Sequence, residues 1–290
     1  MLMNNSLCYL NGTYQPLSEA KVPVLDRGFI FGDGIYEVVP VYGGKLFRFD
    51  HHIARLERSL TKIGMPNPLG REQWLALARK LVAAYAHDFG ENDQMIYIQV
   101  TRGVAKRDHA FPKDVPQTIF AMTSPLPKQS EQARAKGVAC VTTNDFRWHK
   151  GDIKSTSLLG AVLARQMSAE VGAVETILLR DGFLTEASAS NVWVVKGGVL
   201  AAPVKDHLKL EGIRYGLLEE LCAAKGLKLE LRPITEAEVR NADEIILTSA
   251  TKEVLPCTLL DGRPVGNGQP GPVYTQIYAW YQEAKAEQCI

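Results

Sequence analysis

A little before its midpoint the chain passes through Ser124-Pro-Leu-Pro-Lys-Gln-Ser-Glu-Gln, a run with two prolines and one large apolar residue. Proline has no N–H for a ladder and breaks a helix interior, and so polar a run has no face to bury, so neither a sheet nor a helix is expected to cross it. Strand and helix patterns of ordinary length lie on both sides. The chain is therefore expected to fold as two α+β domains, a smaller one over 1–123 and a larger one over 134–290, joined by a linker at 124–133. With 290 residues and 46% hydrophobic content, each part is long enough to bury its own core.

In the first part, short strands are expected at 7–10 and near Tyr14, then Gly-punctuated turns at Asp26-Arg27-Gly28 and Phe31-Gly32-Asp33-Gly34. A hairpin pattern follows, 35–42 and 45–49 about Gly43-Gly44. Asp50 reads as the N-cap of a helix whose Ile53, Leu56, Leu60 and Ile63 recur at 3, 4 and 3 residues, and which ends before Pro66. Residues 72–87 form a second helix pattern, and 94–102 and 117–123 are strand-like. Between those strands, Gly103 to Pro112 is too polar and too Gly/Pro-bounded for either element, and reads as a loop. Past the linker, strands at 138–143, 175–180, 189–195, 228–232 and 244–249 alternate irregularly with helices at 157–171, 213–225 and 272–286 and a short one before 244. That order predicts mixed sheets rather than regular βαβ winding.

Lys and Arg number 33 against 32 Asp and Glu, so no basic excess points to nucleic acid or an anionic membrane, and a small-molecule partner is expected. Cys8, Cys140, Cys222, Cys257 and Cys289 are odd in number and widely spaced, without Cys-x-x-Cys or zinc spacing, which fits reduced thiols in a cytoplasm and no metal site. The start, Met1-Leu-Met-Asn-Asn-Ser, lacks a charged segment followed by a long apolar run, and no window reaches ~18 uninterrupted apolar residues. A cytoplasmic protein without a membrane partner is expected.

The chemistry-bearing residues come as an ordered pair. Lys154 stands in Asp152-Ile-Lys154-Ser155, before Ser155-Thr156-Ser157, whose hydroxyls offer N-caps to the next helix. An amine at the positive end of a helix dipole is expected to favour its neutral, nucleophilic form, as a Schiff-base lysine requires. Taken alone Lys154 reads first as an ordinary surface lysine, so context must lift it, and Lys150 competes with it. Glu186 stands where a short strand ends, before the small-residue run Ala187-Ser188-Ala189-Ser190-Asn191, which would let a flat ring approach the backbone. An amine and a carboxylate in this order suit pyridoxal phosphate, the carboxylate keeping the pyridine nitrogen protonated so that the ring withdraws electrons. Alone, Glu186 also reads as a turn carboxylate.

Two segments qualify for a phosphate. Leu210-Glu211-Gly212 leads into a helix at Ile213 and Arg214, whose backbone N–H groups would face an anion, and Thr248-Ser249-Ala250-Thr251 ends a strand with hydroxyls. Arg55 supplies a permanent forked charge. Arg107 and His109 could hold a carboxylate, with the Tyr36 hydroxyl joining them, although Arg-Asp-His also reads as a solvated loop.

As a set, Arg27-Gly-Phe-Ile-Phe-Gly-Asp-Gly-Ile-Tyr-Glu37, His52-x-x-Arg55-Leu, Asp152-Ile-Lys154-Ser, Leu158-Leu-Gly-Ala-Val-Leu-Ala, Thr185-Glu186-x-Ser-x-Ser-Asn191 and Gly212-Ile213 resemble the fold-type IV, or class IV, pyridoxal-phosphate aminotransferases. The resemblance runs from about Leu25 to Val254. It implies a two-domain fold with pyridoxal 5'-phosphate at the domain interface, and usually a homodimer with a partner loop nearby. It implies Lys154 as Schiff-base lysine and proton carrier and Glu186 at the pyridine nitrogen. Arg55, the Ile213 and Arg214 amides, Ser249 and Thr251 would surround the phosphate, Leu210 would pack on the ring, and Ser188 and Asn191 belong to the motif.

Tyr36, Arg107 and His109 match the carboxylate-binding trio of the D-amino acid branch of that family. The implied reaction is ping-pong transamination between a D-amino acid and a 2-oxo acid such as 2-oxoglutarate or pyruvate. Other class IV activities, namely branched-chain L-aminotransferase, (R)-amine transaminase and aminodeoxychorismate lyase, share the cofactor site. A non-catalytic cofactor carrier or sensor stands further off. The chain departs from the family at Gly212-Ile213-Arg214-Tyr215, where Gly-Ile-Thr-Arg is usual, and at Ala250, where a hydroxyl residue is frequent.

Overall fold

A computed structural model describes residues 5–290, so the reading of Met1–Asn4 as a start without a leader lies outside the described residues. The chain divides into two units. The first holds the chain up to Leu126 together with Ile153–Leu158 and Gln288–Ile290, and the second holds Pro127–Asp152 and Leu159–Glu287.

In the first unit the elements are β1 (Leu7–Leu10), β2 (Thr13–Pro16), α1 (Arg27–Phe31), β3 (Gly34–Tyr42), β4 (Lys45–Leu46), α2 (Phe49–Lys62), α3 (Arg71–Phe89), β5 (Gln94–Thr101) and β6 (Thr118–Pro125). All six strands pair antiparallel, in the order β2-β1-β6-β5-β3-β4. Alternation in β5 turns Ile96, Ile98 and Val100 to one face, where they are fully buried with Ile53, Leu56 and Leu60 of α2 and Trp74, Ala78 and Leu81 of α3. The 3.6-residue apolar spacing of the helices and the two-residue spacing of the strands thus meet in one core.

The second unit comprises α4 (Glu131–Lys136), β7 (Val138–Asn144), α5 (Leu159–Glu170), β8 (Glu175–Arg180), β9 (Phe183–Ala187), β10 (Asn191–Lys196), β11 (Val199–Ala202), α6 (Ile213–Lys225), β12 (Leu229–Leu231), α7 (Glu236–Arg240), β13 (Glu244–Ser249), β14 (Glu253–Leu260), β15 (Arg263–Pro264) and α8 (Pro272–Glu287). Eight of its nine strands run in the order β12-β11-β10-β13-β14-β7-β8-β9, with β15 on β14. The β11–β12, β14–β7 and β7–β8 pairs are parallel and the others antiparallel, a mixed sheet. Strands β8, β10 and β13 are near-continuous apolar runs, as strands covered on both faces must be. No helix among the described residues is long and apolar enough to cross a membrane.

Several boundaries differ from the sequence expectation. Ser124 and Pro125 close β6, because Gln94 and Met95 of β5 still pair with them, and Ser130 caps α4 through its side chain, so the connecting stretch is shorter than 124–133. The larger part also returns two segments to the first unit, Ile153–Leu158 and Gln288–Ile290. Asp50 is not the N-cap of α2; that place falls to Arg48 in a left-handed conformation, and Asp50 lies in the first turn, where its charge still suits the helix dipole. Asp26-Arg27-Gly28 opens the short helix α1, with the Asp26 side chain accepting from the Gly28 N–H.

Helix α8 begins without a serine or threonine cap, and a strand supplies the missing acceptor. Glu244 of β13, buried, accepts from the N–H groups of Val273 at 3.0 Å and Tyr274 at 2.8 Å. These two bonds join a helix start to the sheet. Replacing Glu244 with leucine is expected to cost about 1–2 kcal/mol of stability, as loss of a cap does, measured by urea unfolding.

Candidate active site

The first unit positions Lys154 by backbone pairing. The Tyr36 N–H donates to the Lys154 carbonyl at 3.0 Å, the Thr156 N–H donates to the Gly34 carbonyl at 2.9 Å, and Ile35 and Ser155 form a bridge. Residues 154–156 thus extend along β3. The Thr156 hydroxyl donates to the Gly32 carbonyl at 2.9 Å and that of Ser157 to the same carbonyl at 3.1 Å. Among the described residues neither hydroxyl accepts from an N–H of α5, which starts at Leu159, and the group found against the Lys154 amine is an aromatic face. The Lys154 Nζ lies 3.9 Å from the Tyr36 ring centroid, and Tyr36 stacks on Tyr97 at 5.8 Å.

Arg55 is buried on α2, and a carboxylate orients it. Its Nε donates to Glu37 Oε1 at 2.6 Å and its Nη2 to Glu37 Oε2 at 2.8 Å, while His52 Nδ1 lies 2.8 Å from Oε2. Full burial pushes the Glu37 carboxyl upward, but the Arg55 guanidinium and His52 outweigh it and hold the group well below the usual carboxylate range.

Arg107 and His109 are exposed on the β5–β6 loop and gather around Phe31 of α1. The His109 and Phe31 centroids are 5.3 Å apart, and the Arg107 Cζ is 5.4 Å from the Phe31 ring. Neither joins Tyr36 by a hydrogen bond or ring contact among the described residues, whose aromatic partner is Tyr97. A buried arginine holds the loop from below. Arg27 donates to the carbonyls of Asp108 at 2.5 Å, Ala110 at 3.4 Å and His109 at 3.5 Å, and its Nε donates to Asp33 at 2.8 Å. Arg102 also donates to Asp33, at 2.8 Å, so one carboxylate answers both cations.

In the second unit Glu186 is buried in β9. Arg147 Nη1 donates to its Oε1 at 2.6 Å, and its Oε2 accepts from the Leu210 N–H at 3.2 Å and Asn191 Nδ2 at 3.4 Å. Asn191 also donates to the Leu210 carbonyl at 2.8 Å, so one amide ties Glu186 and Leu210 together. Burial raises the Glu186 carboxyl above its ordinary value, against the pull of Arg147, the Leu210 N–H and Lys209. Asp145 in turn holds Arg147 with both oxygens, at 2.9 Å each.

Ser188 and Ser190 both donate to Glu175, a fully buried carboxylate on β8, and the Lys252 Nζ reaches the same group at 2.8 Å. Lys252 follows Thr251, and its N–H donates to the Ser249 hydroxyl at 3.1 Å. Glu175 therefore links the run after Glu186 to the Ser249–Thr251 turn. At the start of α6 the N-cap is Gly212, without a side-chain cap, and a Cβ there would collide with Asn191 Oδ1. Ile213 and Arg214 are buried in the first turn, and Arg214 Nη2 reaches the Ala250 carbonyl at 3.5 Å.

Within each unit the structure thus brings together Lys154 with Tyr36, Arg107 with His109, Glu186 with Asn191 and Leu210, and Arg214 with the Ser249–Thr251 turn. Sequence reasoning passed over Arg27, Glu37, Arg147, Glu175, Lys209 and Lys252. Arg27 and Glu37 lay inside a quoted motif, which was a usable signal. Nothing in the spacing of Arg147 or Glu175 distinguishes either from an ordinary surface charge.

Comparison with known proteins gives the family and the fold. The family model described as amino-transferase class IV matches residues 34–260. The chain is 38% identical over 275 residues to a D-alanine aminotransferase of Bacillus licheniformis, covering 94% of this chain and 95% of that one. It is 39% identical over 277 residues to a D-alanine aminotransferase of Staphylococcus aureus strain MSSA476, covering 95% and 96%. Among solved structures, the branched-chain aminotransferase of Thermoproteus uzoniensis with norvaline superposes with a TM-score of 0.85 at 25% identity, over 98% of this chain and 96% of that one. The branched-chain amino acid aminotransferase of Escherichia coli gives 0.85 at 20% identity, again over 98% and 96%, a likeness of fold.

The Glu37–Arg55 pair carries a pH signature. Because the folded-state carboxyl of Glu37 lies below its unfolded value of 4.5, its stabilisation is complete above that pH and is lost as pH falls further. Glu37→Gln is expected to destabilise the protein by about 3–5 kcal/mol at pH 7, by removing the carboxylate charge that faces the buried Arg55. The gap to wild type should narrow below the ordinary carboxylate range, as followed by denaturant unfolding at several pH values.

Proposed function

The chain belongs to the class IV aminotransferase family, and on that premise we propose how its residues divide the work of a pyridoxal-phosphate-dependent D-amino acid transaminase. The reaction moves an amino group between a D-amino acid and a 2-oxo acid. The observation that carries this reading is the likeness, over nearly the whole chain, to D-alanine aminotransferases.

The residues present fit the cofactor. Helix α6 offers an N-terminus with no side-chain cap, suited to a phosphate, and Glu186 is a buried acid beside a run of small residues, suited to a protonated ring nitrogen. When bound, pyridoxal phosphate supplies an electron sink for the carbon that loses its proton. Lys154 Nζ would hold the cofactor at rest, and once displaced would take the proton from the α-carbon of the donor amino acid and, in the second half-reaction, deliver a proton to the α-carbon of the product amino acid. Glu186, held between Arg147 and the Leu210 N–H, would keep its negative charge at the ring nitrogen, with Asn191 steadying it. Leu210 would pack on the ring.

The N–H groups of Ile213 and Arg214 and the hydroxyls of Ser249 and Thr251 would hold the phosphate, with Arg55 adding a fixed charge that Glu37 orients. The reach of Arg214 to the Ala250 carbonyl supports a compensating role for its charge, where the family has threonine at 214 and often a hydroxyl residue at 250. Ser188 would act through Glu175 by keeping the Glu186 loop in shape.

Arg107 and His109, on the loop that Arg27 grips, would bind the substrate carboxylate with the Tyr36 hydroxyl. An anchored carboxylate presents one α-hydrogen to Lys154, which selects the enantiomer. Pyruvate or 2-oxoglutarate would serve as amino acceptor. A homodimer fits the exposed apolar face of α5, where Leu159, Val162, Leu163 and Met167 follow helical spacing. Five free cysteines suit a cytoplasmic setting.

Adding D-alanine to the cofactor-loaded protein is expected to bleach its visible absorption, whereas L-alanine and an (R)-amine leave it unchanged. Bleaching by a control alone would move the assignment to another class IV activity. Lys154→Ala should abolish turnover in a protein that still folds, and near-wild-type turnover would overturn its role. Arg107→Ala should raise KM for D-alanine by roughly 10- to 100-fold with a smaller effect on kcat, and unchanged kinetics would remove it from the carboxylate site.

A further inference from the structure

Lys209 is a buried lysine for which the reaction as laid out has no use. It is 2% exposed, and its Nζ has no hydrogen-bond partner among the described residues. An ammonium in such a place has lost its water without gaining an ion pair, so it persists only where other groups answer its charge. One is an aromatic face, since the Nζ lies 3.9 Å from the ring centroid of Tyr215 on α6. Tyr215 is itself fixed, by its hydroxyl bond to the Pro203 carbonyl at 2.8 Å and by Trp193 at 4.5 Å between centroids.

The second is Glu186. Lys209 immediately precedes Leu210, whose N–H donates to Glu186 Oε2 at 3.2 Å, so the backbone bearing Lys209 is tied to that carboxylate. Glu186 is in direct contact with one cation, Arg147. Arg147 gives it one N–H at 2.6 Å and gives two to Asp145, at 2.9 Å each, while Arg180 of β8 lies 3.3 Å from Asp145, so Arg147 faces two acids and Asp145 two cations. Lys205, the other lysine of this loop, is engaged by Glu211 at 3.0 Å and Glu219 at 2.6 Å. Lys209 is the cation of this loop left without an ion-pair contact.

We propose that Lys209 is a positioning residue for the reaction, a second positive charge that acts through Glu186 to keep that carboxylate ionised, with the Tyr215 ring as its seat. The inference rests on the assignment of Glu186 to the cofactor's ring nitrogen. The electrostatics run the same way in both directions. Lys209 is among the groups drawing the Glu186 carboxyl down against the larger effect of burial, and burial pushes the Lys209 amine down to about 8, with Glu186 and Asp206 pulling it up. The charged groups that bear on Lys209 are Glu186 from β9 and Asp206, Lys205 and Glu211 from its own loop. It therefore carries its charge through the acid range in which Glu186 titrates.

Lys209→Met keeps the aliphatic stem and removes the charge, while Lys209→Arg keeps the charge. In the full-length protein carrying 13C-labelled glutamate side chains, with Glu186→Gln identifying the resonance, Lys209→Met should move the Glu186 titration up by about one pH unit. In the cofactor-loaded enzyme the acid limb of kcat should move up by the same amount, because protonation of Glu186 removes the charge the ring nitrogen needs. Binding of pyridoxamine 5'-phosphate should weaken by about tenfold where wild-type Glu186 is ionised and that of the variant is not. Lys209→Arg should retain most of the wild-type behaviour on all three readings. An unmoved Glu186 titration in Lys209→Met, or an equal displacement in both variants, overturns the proposal. A wild-type protein inert toward D-amino acids overturns the transamination reading instead, and leaves the carboxylate titration to decide the Lys209–Glu186 link.

Discussion

Backbone pairing between residues 154–156 and β3 is the constraint on which the position of the Lys154 amine depends. Lysine has four rotatable side-chain bonds, and alone it samples many positions. Two main-chain bonds on the β3 side fix its Cα, the Ser59 hydroxyl accepts from its N–H at 3.3 Å, and the Tyr36 ring receives its ammonium. Tyr36 is thus bound twice to Lys154, through its N–H to the Lys154 carbonyl and through its ring to the Nζ. The β3 alternation that turns Tyr36 to one face turns Ile35 and Glu37 to the other, where Ile35 packs in the core and Glu37 grips Arg55. One strand therefore sets both the amine and the orientation of an arginine by the same period-two rule.

Charge neutralisation inside the protein follows a repeated pattern. Glu37 faces Arg55, Asp33 faces Arg27 and Arg102, Glu186 faces Arg147, and Glu175 faces Lys252. Each acid is buried or nearly so, and each would be expelled or protonated without its cation. The pairs also give direction, since a forked guanidinium held on one edge by a carboxylate has little freedom to turn. Preorganisation of this kind removes part of the ordering cost that a ligand would otherwise meet.

Much of this was legible from the chain. The 3-4-3 spacing of Ile53, Leu56, Leu60 and Ile63 marked α2, and the alternation from Gln94 onward marked β5, because burial on one face imposes those periods. The motif residues marked the fold as a set. What escaped notice depended on contacts between distant segments. Arg147 lies 39 residues from Glu186, and Arg27 lies 81 from Asp108, and neither separation has a periodic trace. The hydroxyls of Thr156 and Ser157 misled because they stand just before a helix, yet the carbonyl of Gly32, more than 120 residues earlier, claims both. A local cap rule has no view of a hydroxyl's partner that arrives through the tertiary fold.

The division of the chain has a consequence for the order in which it acquires shape. The first unit takes in Ile153–Leu158 and Gln288–Ile290, although the rest of it ends at Leu126, and Ile290 exchanges backbone hydrogen bonds with Leu46 in both directions, at 2.9 and 3.0 Å. Loop closure over such separations is slow and entropically costly, and synthesis proceeds from the N-terminus. When residues up to Leu126 have left the ribosome, neither the segment bearing Lys154 nor the partner of Leu46 has yet been made. The segment that bears Lys154 and the partner of Leu46 are therefore the last parts of the first unit to be made, an order written into its connectivity.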